Sequence, residues 1–297
     1  MTYPGDEDIG KDPRSGSHPP PRPAPIQAEI VDENAGRPFP VVPLILFLAT
    51  CYTTYKVGGI AYAAALMLIL TCHEMGHYLQ ARRYHVPASL PYFIPLPFPP
   101  LGTMGAVIGM RGNSWNRKEL FDIGISGPLA GLVPALICCF VGLQQSTIVD
   151  IPPAGPEAGR ALGEPLLFQF LEMVVFGTIP AGKTIALGPL GYAGWVGVFI
   201  TALNLMPISQ LDGGHVIYAL LRRKAHVVTT MLLALAILAV LLTGYYQWSL
   251  MLFLLILIGP NHPPTHDDNV PLGTGRVILG WLTLCFVFVG FTPTPFI

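Results

Sequence analysis

Charged residues drop out of this chain in long blocks. No Asp, Glu, Lys or Arg occurs within 38–55, 57–73, 123–149, 184–211, 227–266 or 277–297. A helix that crosses a bilayer needs about 20 apolar residues, with roughly 17 to 25 as the range, and most of these blocks reach it. The pattern predicts spans near 41–56, 59–80, 119–143, 190–210, 227–243, 247–259 and 277–293. Gly244 and the polar-aromatic "TGYYQW" divide the long run after His226, and such aromatics suit a membrane interface. The amphipathic stretch 165–180 is a candidate for a further, partial insertion. The expected fold is an all-α polytopic membrane protein with about seven transmembrane helices.

Two connections break this pattern. Residues 86–111, "VPASLPYFIPLPFPPLGTMGAVIGMR", hold six prolines and almost no charge. They are too broken for a helix and too apolar for an ordinary loop. Irregular backbone at membrane depth is tolerated only where protein or a water-filled cavity satisfies it. The expectation is a short re-entrant β segment with "TMGAVIGM" as a strand. The other connection, 144–189, is acidic and rich in Gly and Pro, and reads as too short and irregular to hold a folded domain of its own. At the other end, residues 1–40 carry nine prolines and no apolar block, which predicts a disordered cytoplasmic tail. They show neither the pattern of a secretory signal nor, with Asp6, Glu7 and Asp8, that of a transit peptide. The domain expectation is therefore a tail at 1–40 and a membrane domain at 41–297.

Composition strengthens the membrane reading. The chain is 52% hydrophobic and 11% charged, with a mean hydropathy of +0.56, against roughly 25% charged residues in a soluble domain. A net charge of −1 gives no basic field for nucleic acid. All five cysteines lie in apolar runs without C-x-x-C spacing, which speaks against a disulfide framework. On the predicted spans, one side collects Arg82, Arg83, Arg111, Arg117, Lys118, Arg222, Arg223, Lys224 and Arg276, and the other only Lys56, Arg160 and Lys183. Nine against three makes the first side cytoplasmic. The N-terminus then starts in the cytoplasm, and a bacterial inner membrane is the expected location.

The chemistry sits where charge is most expensive. "LTCHEMGHYLQARR", 70–83, places His73, Glu74 and His77 at the end of an apolar run, and an ionisable group inside a membrane is a functional candidate by default. Residues four apart on a helix point the same way, so His73 and His77 can bind one Zn²⁺. Glu74 is angled off the metal but can take a proton from water activated there. The alternative, polar residues capping a span beside Arg82 and Arg83, leaves a carboxylate among imidazoles at a high desolvation cost. A catalytic zinc site wants a third protein ligand. The candidate is Asp212 in "NLMPISQLDGGHVIYALL", the only acidic residue between Glu172 and Asp267. Pro207 and the pair Gly213–Gly214 are expected to break the helix around it. A helix-capping aspartate is the competing reading. His215 is open between a partner of Asp212, a ligand and a solvated interfacial residue.

"HEMGH" on one apolar segment and "NLMPISQLDGG" on a later one resemble the two signatures of the site-2 protease family of intramembrane metalloproteases, and "SGPLAG" at 126–131 resembles a third, weaker feature. The resemblance covers about 57–223, a three-helix catalytic core, followed by C-terminal helices over 227–297. It implies that His73, His77 and Asp212 are zinc ligands, that Glu74 is the general base, and that Asn204 and Pro207 line the substrate-binding cleft. "GPNHPPTHDD" and "LGTMGAV" further resemble the plastid and bacterial branch related to the EGY proteases of plants. No PDZ-sized insertion separates "SGPLAG" from "LDGG".

The expected function is hydrolysis of a peptide bond in or near a membrane helix of a single-pass membrane protein, within the lipid bilayer. The rival is a polytopic metal-ion transporter or metal sensor using the same His and Asp side chains. Such a protein needs no general base. His262, His266, Asp267 and Asp268 are either a second metal site or, more simply, a solvated loop turned by Pro263 and Pro264. Gly124, Gly127, Ala130 and Gly131 are expected to let their helix approach a neighbour closely.

Overall fold

The first helix, α1 (Val41–Arg83), carries both predicted N-terminal spans as two arms. They meet at Gly59, where φ 75° and ψ −172° break the helix; a side chain there would be strained. In the computed structural model, residues 40–110, 115–151 and 162–296 are described. Residues 1–39 of the expected tail at 1–40, together with Arg111 and Arg160, lie outside the described residues.

From α1 the chain makes an antiparallel hairpin, β1 (Tyr92–Pro95) and β2 (Thr103–Val107), then α2 (Arg117–Gln144). The sequence "NRKE" starts α2 with a capping box. The Asn116 side chain accepts from the Lys118 and Glu119 amides, while Glu119 accepts the Asn116 N–H, so orphan donors at the helix start are satisfied. Next come β3 (Thr147–Asp150), α3 (Leu166–Phe176) and β4 (Lys183–Ala186). β3 and β4 pair antiparallel, Thr147 to Ala186 through Asp150 to Lys183. The two ends of the connection 144–189 thus pair with each other. Its two ends carry short β-branched runs, and the long intervening stretch hides their pairing from any local pattern. Helices α4 (Pro189–Asn204), α5 (Asp212–Leu221), α6 (Ala225–Thr243), α7 (Ser249–Ile258) and α8 (Thr274–Gly290) complete the described chain.

Among the described residues the fold is mostly helical. Three stretches are long and apolar enough to cross a membrane: Val41–Arg83, Arg117–Gln144 and Asp212–Thr243, the last running through α5 and α6. Leu166–Phe176, Tyr246–Ile258 and Thr274–Gly290 are shorter apolar helices.

The core forms where α1, α2 and α4 meet. Tyr62, Leu66 and Ile69 of α1, Ala135, Cys139 and Leu143 of α2, and Trp195, Val196 and Val198 of α4 are buried together. All the cysteines are free. Along α4, Tyr192, Trp195 and Phe199 stack at ring-centroid distances of 6.2 and 5.4 Å, and Tyr62 stacks on Tyr192 at 5.1 Å. Two of these rings also hold the hairpin through their hydroxyls. Tyr62 donates to the Leu101 carbonyl at 2.7 Å and Tyr192 to the Pro100 carbonyl at 2.9 Å. The hairpin is therefore fixed to both α1 and α4.

α8 is tied to α2 by charge. The Arg276 guanidinium grips Asp122 with Nε at 2.7 Å from Oδ1 and Nη2 at 2.9 Å from Oδ2, and Tyr84 donates to the same carboxylate. Hydrogen bonds to charged groups contribute roughly 1.5–3 kcal/mol each, less where, as for Arg276, the side chain is about a third exposed. Asp122→Asn is expected to destabilise the protein by about 1–2 kcal/mol, read as a lower unfolding midpoint in detergent. An unchanged midpoint would show that the pair is not stabilising.

Candidate metal centre

The "HEMGH" run lies in the last three turns of α1, and the helical repeat puts His73 and His77 on one face. Asp212 arrives from a segment 139 positions further along the chain. α4 ends at Asn204, the chain turns through 205–211, and Asp212 opens α5. Pro207 falls in that break. Gly213 and Gly214 do not break the helix, contrary to expectation; they lie inside the first turn of α5. A Cβ on Gly213 would collide with the Leu205 carbonyl and one on Gly214 with the Ser209 carbonyl. Their role is close approach of α5 to the turn that precedes it.

These elements bring three donors together. His73 Nε2 lies 3.0 Å from Asp212 Oδ2, His77 Nε2 lies 3.2 Å from Asp212 Oδ1, and the two Nε2 atoms are 3.2 Å apart. The group can hold a metal ion, its ligand atoms all lying within 4.8 Å of one another. His73 is 3%, Glu74 4% and His77 6% exposed, so the charge sits largely out of water.

The hydrogen bonds show that this donor set fits a cation. His77 Nδ1 lies 2.7 Å from the Ile123 carbonyl oxygen of α2, so Nδ1 carries the proton and donates it. In the neutral ring, Nε2 is then a lone pair. It faces a carboxylate oxygen and a second imidazole nitrogen. The His77 lone pair and the Asp212 oxygen are both acceptors, and a divalent ion between them would convert their repulsion into binding. Two imidazoles and a carboxylate suit Zn²⁺.

Around the donors, Asn204 Nδ2 lies 3.4 Å from His73 Nε2. Glu74 is buried beside them with no hydrogen-bond partner among the described residues. Pro207 makes no hydrogen bond to the centre; it stands in the turn between Asn204 and Asp212.

α2 forms the floor. A Cβ on Gly127 would come within 2.5 Å of the His77 ring, and one on Gly131 would come 2.9 Å from the His73 Cβ. The small residues of "SGPLAG" were visible in the sequence, but the neighbour they admit, the histidine helix itself, was not. The Ile123 carbonyl was missed altogether, since a backbone acceptor leaves no mark on composition.

In the loop after α7, Pro263, Pro264 and His266 are exposed as expected, and His262 departs from expectation. His262 is 4% exposed rather than solvated, because its ring packs against Tyr218 at 4.7 Å and bonds His215 at 2.7 Å. His215 is correspondingly engaged with protein rather than water. Among the described residues, His73, His77 and Asp212 are the one His/Cys/Asp/Glu group able to hold a metal ion.

Comparison with known proteins gives a consistent result. The family described as "Peptidase family M50" matches residues 61–244, which contain every residue of the centre. "Probable zinc metalloprotease EGY1, chloroplastic" from Oryza sativa subsp. japonica is 30% identical over 86% of this chain and 43% of its own length. The protein of the same name from Arabidopsis thaliana is 30% identical over 80% of this chain and 43% of its own. "Probable zinc metalloprotease EGY2, chloroplastic" from Arabidopsis thaliana is 29% identical over 80% of this chain and 42% of its own. The chain thus spans less than half the length of these relatives. No solved structure matches it.

Proposed function

Because this chain belongs to peptidase family M50, we propose that it is a zinc-dependent intramembrane endopeptidase that cuts a single-pass membrane protein in or near its transmembrane helix. The observation that carries the reading is the meeting of His73, His77 and Asp212, the last 139 positions from His73, in one largely buried cluster whose ligand atoms lie within 4.8 Å of one another. The relatives named as zinc metalloproteases support it.

In this reading His73, His77 and Asp212 hold the metal. Bound there, zinc would polarise a peptide carbonyl and acidify water. The Glu74 carboxylate takes the proton from the attacking water and can pass it to the departing amine nitrogen. Among the described residues no hydrogen bond engages its oxygens, which leaves them available for that exchange. Asn204, beside His73, and Pro207 face the cleft and orient the substrate. A helical substrate must unwind before a carbonyl is presented, and the β1–β2 hairpin can pair with the released strand. Its hydroxyl ties to Tyr62 and Tyr192 keep it beside the core.

The membrane arrangement proposed is seven spans with the hairpin re-entrant, the arms of α1 and the shorter helices α4, α7 and α8 completing the set. The nine-to-three excess of Lys and Arg supports a cytoplasmic N-terminus, in a bacterial inner membrane.

The test compares membrane proteomes of cells carrying the native chain and Glu74→Gln. A single-pass protein accumulating uncut only with the variant is the expected result and identifies the substrate. If no protein differs, the protease reading fails in favour of a metal-ion transporter or sensor.

A further inference from the structure

The loop that follows α7 grips the chain three residues before and three residues after Asp212. On the near side is Ser209, buried at 1% exposure with φ 56°, a left-handed conformation that costs a non-glycine residue energy. Two bonds to the loop hold it there: the Ser209 amide donates to the Pro260 carbonyl at 3.2 Å, and its hydroxyl to the Gly259 carbonyl at 2.6 Å. On the far side is His215, one turn along α5 from Asp212 and seated over Gly124, where a Cβ would come 2.9 Å from its own Cβ.

The proton positions in this contact follow from its partners. His262 Nδ1 lies 2.5 Å from the Pro263 carbonyl oxygen, so Nδ1 carries a proton. Burial, and then the nearby His226, hold the His262 pKa below its ordinary value, outweighing the Pro263 bond, and the ring is neutral. Its Nε2 is therefore an acceptor, and His215 Nδ1, 2.7 Å away, donates to it. His226 Nε2 donates to the His262 carbonyl at 2.9 Å and fixes the backbone. The chain of bonds sets both tautomers and locks the His215 ring.

We propose that His262 is a positioning residue for the metal centre: by accepting the His215 Nδ1–H it locks α5 in the rotation that aims Asp212 at His73 and His77. The inference rests on reading that centre as a zinc site. It adds a residue that lies beyond the 61–244 region shared with the family.

The test measures zinc affinity of the purified full chain by competition with a chelator, alongside thermal unfolding of each metal-free protein. Direct outer partners of metal ligands contribute about 10- to 100-fold in affinity. His262→Leu, which fills the space without an acceptor and acts one step further out through His215, is expected to weaken zinc by about 10-fold, the lower end of that range. His262→Gln, whose side-chain oxygen can accept the same N–H, is expected to stay within a few-fold of native. In a His215→Phe background, His262→Leu should cause no further loss, because the bond is already absent. Native affinity in His262→Leu, or losses that add in the double variant, overturns the proposal. Asp212→Ala reports on the underlying reading separately. If it binds zinc as tightly as the native chain, the centre itself is misassigned, whatever the His262 variants do.

Discussion

Gly127→Ala is expected to lower zinc affinity by at least about 100-fold, although residue 127 contributes no donor atom. Taken alone, the substitution favours the helix, since alanine is better than glycine in a helix interior by about 1 kcal/mol. Tertiary contact decides otherwise. The new Cβ would come within 2.5 Å of the His77 imidazole, inside its van der Waals envelope. The ring cannot yield a little, because Nδ1 is held by the Ile123 carbonyl at 2.7 Å and the residue is 6% exposed. It must either leave that bond and swing away from the centre, or push α1 off α2. Either response takes away a ligand, which costs more than the 10- to 100-fold typical of an outer partner. Leu129→Ala, on the exposed face of the same helix, serves as the control and should bind zinc as the native chain does. Isothermal or chelator-competition measurements on both proteins check the prediction. Native affinity in Gly127→Ala would mean that the two helices are not packed this closely at His77.

Glu74→Gln is expected to reduce turnover of a helical model substrate by about 10²- to 10⁴-fold, the usual contribution of a general base. It should keep one zinc per chain. The exchange preserves shape, so a residue that is 4% exposed creates no cavity, and it removes only the ability to accept a proton. Asp212→Ala should behave differently and lose the metal along with turnover, because it deletes one of the three convergent donors. The pair of variants separates two roles that activity alone would merge. A Glu74→Gln chain that cleaves at the native rate would remove Glu74 from the chemistry. A Glu74→Gln chain that loses zinc would move it into the ligand set.

How much of this was legible beforehand differs from residue to residue. The spacing of His73 and His77 is a local matter. A helix repeats every 3.6 residues, so two imidazoles four positions apart share a face wherever that helix packs. The charge-free blocks likewise announce apolar helices without reference to partners, and the break near residue 57 emerges as the Gly59 kink. Pro207 marked the interruption before Asp212 because proline lacks the amide that a helix needs. The glycines after it were misread, since their use depends on what they touch: the Leu205 and Ser209 carbonyls. The β3–β4 ribbon went unseen for a related reason, its strands being short and separated by more than 30 positions. His262 was taken for a loop residue in water because prolines follow it, and prolines describe the backbone, not what the neighbouring ring meets.

Residue type and periodicity alone determined that this chain carries apolar helices, that one of them presents paired imidazoles with a carboxylate beside them, and that a lone aspartate far along the chain was available to join them. Tertiary structure decided the rest: that α2 brings a side-chain-free surface against the histidines, that a backbone carbonyl turns His77 Nε2 inward, and that a distant loop brackets Asp212. Local patterns are set by bonds between near neighbours along the chain. Convergence of donors from segments far apart in the chain is set by which surfaces can touch, and that is known only once they do.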